Sequence, residues 1–119
     1  DWRYRDSYAG FLRSFGTELV RFRGEPVWNA LYGGGMTPKY RDDAAFAHVT
    51  FEFLKEALST GEKQEAFQPR GPRNFKRGSW EYRCEMSGDI AEFKAYEEIL
   101  YNGDIVFTHD VIGGLIIRK

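Results

Sequence analysis

An α+β fold is predicted for this chain of 119 residues: an antiparallel curved sheet of about six strands, made from two pseudo-repeated three-strand meanders and packed on one central α-helix in a β3-α-β3 order. Three observations predict it. The two ends of the chain resemble each other at a fixed offset, the best hairpin dipeptides fall at equivalent places in those ends, and a single stretch between them has helical period.

The offset is 79, set by Gly24 and Gly103. It places Glu18 on Glu97, Val20 on Ile99, Val27 on Val106, Trp28 on Phe107 and Met36 on Leu115. Five of the nineteen positions from 18 to 36 are identical and five more conservative, where unrelated sequences at average composition share roughly one. An offset of 78 carries the likeness upstream, from Gly10 and Phe15 to Gly88 and Phe93. In the second copy Trp80 to Met86 alternates, Ser87-Gly88 turns, Ile90 to Tyr101 runs back, Asn102-Gly103 turns, and Ile105 to Ile112 returns. Asn-Gly suits a two-residue turn because both of its residues tolerate positive φ; Arg23-Gly24 is the weaker counterpart. The first copy then uses Trp2 to Tyr8, Phe11 to Phe22 and Glu25 to Leu31.

Between the copies, Ala44, Ala47, Phe51, Leu54 and Leu58 recur at helical spacing, widened by Phe46, Phe53 and Ala57, and predict a helix over 41–58. Asp42 and Asp43 suit its positive end and Gly61 its exit. Residues 59–78 have no period and read as a long loop, and Gly33-Gly34-Gly35 reads as a bulge or turn rather than a phosphate cradle. One domain spans 1–119, with pseudo-repeats over 1–36 and 80–117.

Two-residue turns fix an expected register: Val20 opposite Val27, Leu19 opposite Trp28, Glu18 opposite Asn29, and Ile99, Glu98 and Glu97 opposite Val106, Phe107 and Thr108. One face then holds Val20, Phe22, Val27, Leu31, Ile99, Tyr101 and Val106, and the other Leu19, Trp28, Ala30, Tyr32, Leu100, Ile105 and Phe107. Both are apolar. The helix covers one, and sheet curvature or a second subunit covers the other, so that a homodimer is a physical expectation.

Composition bounds the function. At 42% hydrophobic and 17% aromatic the chain has material for a core, and a formal charge of −1 gives no overall field toward nucleic acid or an anionic membrane. The lone Cys84 forms no intrachain disulfide, and no apolar run reaches membrane-spanning length, so a cytoplasmic protein without membrane contact is expected. Cys84 reads as a small buried hydrophobe rather than a nucleophile. No cofactor, metal or catalytic set is expected: His48 and His109 have no third ligand at metal spacing.

The leading candidates for ligand binding are Tyr8, Glu18, Trp28, Tyr32 and Glu97. The aromatic cluster of Trp2, Tyr4, Tyr8, Trp28, Tyr32 and Trp80 offers a small-molecule pocket as the alternative to plain core. Glu18 and Glu97, matched by the repeat, offer two carboxylates that share a proton or hold a metal or amine, or act as an enzymatic acid–base pair. In the loop Lys63, Arg70, Arg73, Lys76 and Arg77 stand against Glu62 and Glu65, with Phe67 and Phe75 interleaved. That basic segment over 63–77 offers a nucleic-acid site through Arg70, Arg73, Lys76 and Arg77, although direct contact is not expected of a chain that is not basic as a whole.

Tyr8 to Gly10, Phe15-Gly16-Thr17-Glu18, Pro26-Val27-Trp28, Tyr32-Gly33, the run Phe53 to Leu58 and the run Tyr96 to Gly103 together resemble an uncharacterised prokaryotic domain family, across nearly the whole chain. The resemblance implies a protein found alone or C-terminal to helix-turn-helix, XRE-type transcriptional regulators. It brings no catalytic residues, and this chain has no helix-turn-helix segment. A sensing or dimerisation role is what it implies.

Overall fold

The computed structural model describes residues 1–61 and 70–118. Strands β1 (Trp2–Gly10), β2 (Arg13–Phe22) and β3 (Glu25–Met36) come first, then a 3-10 turn (Pro38–Tyr40) and helix α1 (Ala44–Gly61), then β4 (Asn74–Arg77), β5 (Trp80–Asp89), β6 (Glu92–Tyr101) and β7 (Asp104–Leu115). All seven strands form one antiparallel sheet in the order β1-β2-β3-β7-β6-β5-β4.

This corrects the expected six-strand sheet on a central helix. The described residues are mostly sheet, 61% strand against 18% helix, and the added strand, β4, lies in the stretch read as loop. Phe75 of β4 stacks on Phe53 of α1 at 5.6 Å, so tertiary packing orders a segment whose own composition signals a loop. The expected sites Glu62, Lys63, Glu65 and Phe67 lie outside the described residues. Helix α1 starts later than 41 because Asp43 caps it, its Oδ1 accepting from the Phe46 N–H at 3.0 Å.

Both hairpin turns form where expected. Arg23 and Gly24 have φ of 50° and 85°, Asn102 and Gly103 of 51° and 80°, the positive pair that a type I′ turn requires. The register nevertheless differs by one. Arg21 pairs with Pro26 but Val20 with Trp28, and Leu100 pairs with Ile105 but Ile99 with Phe107. Val27 and Val106 are therefore extra residues of two β-bulges, at equivalent positions under the offset of 79. A bulge inverts the alternation beyond it. Glu18 consequently faces Ala30 rather than Asn29, and Glu97 faces His109 rather than Thr108. The expected faces are corrected accordingly: Val20, Trp28, Ala30, Tyr32, Ile99 and Phe107 share one side, with Leu19, Leu31 and Leu100 on the other.

Helix α1 lies on the first of these sides. Its Phe46 and Phe53 pack on Trp80 at 5.6 and 5.4 Å, and Phe51 meets Phe107 edge-on at 6.0 Å. Phe53, Ala47 and Ala57 are fully buried, and sequestering a side chain the size of Phe53 contributes about 1.5–3 kcal/mol. Phe11, in the β1–β2 turn, reaches back to Phe51 at 5.0 Å. Between that contact and the sheet a cleft stays open.

Candidate functional site

Register alone assembles the polar centre of this side. Asp6 pairs with Glu18, Glu18 with Ala30, Cys84 with Glu97 and Glu97 with His109, and directly paired residues point to the same face. Arg70 drops into this row from the segment before β4. Its Nε donates to Glu97 Oε1 and its Nη1 to Glu18 Oε1, both at 3.0 Å. The side chains of Arg70 and Glu97 are 7% and 0% exposed, a burial that charges tolerate only when paired and hydrogen-bonded.

Neighbours hold both members of the buried pair in place. The Gly71 N–H donates to the Tyr82 hydroxyl at 3.0 Å, and that hydroxyl donates in turn to Glu97 Oε2. The ring of Tyr32 lies 4.8 Å from the Arg70 guanidinium carbon, in cation–π range, and its hydroxyl donates to Asp6 Oδ1 at 2.7 Å. Tyr32 reaches Asp6 by crossing β2 above Gly16, where a Cβ would come within 2.5 Å of the phenol. Only glycine leaves that passage open.

The two matched acids sit in unlike surroundings. Burial pushes both carboxyls upward, but at Glu97 the Arg70 charge and the His109 and Tyr82 contacts outweigh it and hold the group below its ordinary value. At Glu18, where the residue opposite is Ala30, burial prevails over Arg70 and the value is raised. Tyr4 is raised to about 12 by burial, then by the charges of Glu18 and Asp6. Burial followed by Asp6 raises Tyr32.

His109 is 3% exposed, and its Nδ1 lies 3.1 Å from Glu97 Oε1 and 3.5 Å from Arg70 Nη2. The shorter of the two contacts is to a carboxylate, which only accepts, and it puts a hydrogen on Nδ1 directed at Glu97; Nη2, which only donates, is then a neighbour of that nitrogen and not its hydrogen-bond partner. The other ring nitrogen, Nε2, has no partner and is the only such buried side-chain polar atom among the described residues. His109 lines the cleft, about 330 Å³, together with Tyr8, Tyr32, Phe51, Arg70 and Phe107. The orphaned nitrogen thus belongs to a wall of aromatic rings.

Of the sequence candidates, Tyr8 and Tyr32 line the cleft, while Glu18 and Glu97 stand behind it on Arg70. Trp28 lies elsewhere, its indole donating to the Ile90 carbonyl at 2.8 Å and stacking on Phe93 at 5.8 Å. The basic set divides. Arg73, Lys76 and Arg77 are exposed, Arg77 pairing with Glu56 at 2.7 Å, whereas Arg70 is buried among carboxylates. Tyr82 and Asp6 were not among the candidates, and His109 was weighed only as a metal ligand; the signal that would have joined it to Glu97 is the bulge at Val106. No group of three or more His, Cys, Asp or Glu is placed to hold a metal among the described residues, and none of their helices is long and apolar enough to cross a membrane.

No curated protein and no solved structure matches the chain. A family model described as Domain of unknown function (DUF5680) matches residues 6–116.

Proposed function

The chain belongs to the DUF5680 family, a domain of unknown function, and from that premise we propose that it is a small-ligand-binding module whose site is the cleft between α1 and the β1–β3 meander. The observation that carries this reading is the unpartnered Nε2 of His109. Leaving a buried polar atom unsatisfied costs about 1–3 kcal/mol, and a bound molecule offering an N–H or O–H would recover that cost. The aromatic walls supply the apolar contact that small-molecule sites use, with few polar groups to orient the guest.

Titration with indole, followed by NMR of the His109 ring and by thermal shift, tests the reading. Binding in the cleft should move the His109 signals and weaken in Tyr8→Ala, whose ring is 69% exposed and dispensable for folding. Trp28→Ala should leave it unchanged. Indole binding that ignores Tyr8 and His109 would refute the assignment of the cleft.

Acid–base catalysis by Glu18 and Glu97 is the weaker reading, because one oxygen of each already accepts from Arg70. A role beside helix-turn-helix regulators, implied by the resemblance, fits a ligand sensor. Self-association has one observation in its favour: Phe15, Leu31 and Ile112 on the face away from α1 are 58%, 53% and 53% exposed and line one shallow apolar depression. Sedimentation of wild type against Leu31→Glu tests it, and an unchanged molecular weight would reject it.

A further inference from the structure

We propose that the cleft selects organic cations, namely a flat aromatic body carrying a protonated amine or amidine. The proposal rests on the ligand-binding reading above and adds the class of ligand.

Charge around the cleft is unevenly matched. On the helix side Glu52 serves both Lys55 at 3.6 Å and His48 at 4.0 Å. On the sheet side Asp6, Glu18 and Glu97 lie around the guanidinium of Arg70, which forms its ion pairs with the two glutamates. Three carboxylates stand around that one guanidinium. Asp6 accepts the Tyr32 hydroxyl, and no cation of the described residues lies within ion-pair distance of it. It is an exposed carboxylate in the lining of the cleft.

The remaining groups favour the same guest. With Nδ1 turned to Glu97, His109 presents its unpartnered Nε2 to the cleft, and the neutral ring accepts there, a contact that an ammonium or amidinium N–H satisfies and a carboxylate does not. Tyr8, Phe11, Tyr32 and Phe51 line the space beside it, and the faces of such rings carry partial negative charge that attracts cations. An anionic guest would meet uncompensated carboxylates and an acceptor nitrogen together. A neutral guest would gain the ring contacts and a hydrogen bond to Nε2, without the attraction of the carboxylates.

Three indoles with the same ring and different side-chain charge separate these cases: tryptamine, tryptophol and indole-3-acetate, titrated calorimetrically near neutral pH at low salt, with the His109 ring followed by NMR. Tryptamine should bind about tenfold more tightly than tryptophol, with indole-3-acetate weakest. Asp6→Asn, which keeps an oxygen for the Tyr32 hydroxyl, should cut the advantage of tryptamine several-fold without changing tryptophol. Equal affinity for the three, or a preference for the acetate, would overturn the cation selectivity while leaving the cleft as a binding site. Absence of binding by all three, with unmoved His109 signals, would remove the cleft reading and this proposal with it.

Discussion

His109 Nδ1 lies 3.1 Å from Glu97 Oε1, and the equivalent pair 79 residues earlier is Ala30 facing Glu18. One half of the sheet therefore gives its acid an imidazole and the other gives it a methyl group. That difference makes the two glutamates chemically distinct although the backbone places them alike.

Glu97→Gln leaves the buried Arg70 charge without its main partner. Breaking a buried ion pair from one side costs about 3–5 kcal/mol, and urea denaturation near neutral pH should show a loss in that range. Glu18→Gln should cost less than about 1 kcal/mol, because burial already works against the charged form of Glu18. Equal losses for the two variants would contradict the asymmetry.

The same asymmetry sets the acid limb of stability. Glu97 is held below its ordinary value, so its contribution is complete above the unfolded value of 4.5 and is lost as pH falls through the folded value. Glu18 is raised, so its protonation between the folded value and 4.5 favours folding as pH falls. Wild type should therefore gain stability relative to Glu18→Gln on acidification from neutral toward 4.5, and both should lose stability below it. Parallel curves over the upper window would show that Glu18 has no raised value.

Gly16→Ala drives a methyl group into the Tyr32 ring, and overpacking of this kind costs about 1–3 kcal/mol. The penalty should shrink in the Tyr32→Ala background, which empties the space above Gly16. A penalty of the same size in both backgrounds would place its origin at the neighbouring Ser7 carbonyl, 2.8 Å from the added carbon.

Tyr82→Phe deletes one hydroxyl that serves both Glu97 and the Gly71 N–H. Stability should fall by about 1–3 kcal/mol, and the Gly71 amide should exchange with solvent faster than in wild type. An unchanged exchange rate would mean that water replaces the phenol.

Much of this was legible in the residues. Asn102-Gly103 and Arg23-Gly24 announce their turns, the apolar spacing from Ala44 onward announces the helix, and the offset of 79 singles out both glutamates. What escaped depends on neighbours distant in sequence. Nothing local in Asp104 to Phe107 marks Val106 as an extra residue, so the count from the turn pairs Glu97 with Thr108 and leaves His109 apart. Arg70 belongs by composition to a run of basic residues, and only the closure of the sheet around Tyr82 turns it inward. Asn74 to Arg77 has weak strand character alone and becomes a strand by pairing with Trp80 to Arg83.

Val27 and Val106 make the placement of one unpaired residue, rather than side-chain identity, the sensitive variable in both hairpins. A last strand of the same length in which Val106 paired with Ile99 would offer Thr108 to Glu97 and send the imidazole to the opposite side of the sheet. Removing the codon for Val106 would instead take out the bulge and keep Glu97 opposite His109, so a homologue one residue shorter between Asn102-Gly103 and His109 retains this pairing without the bulge.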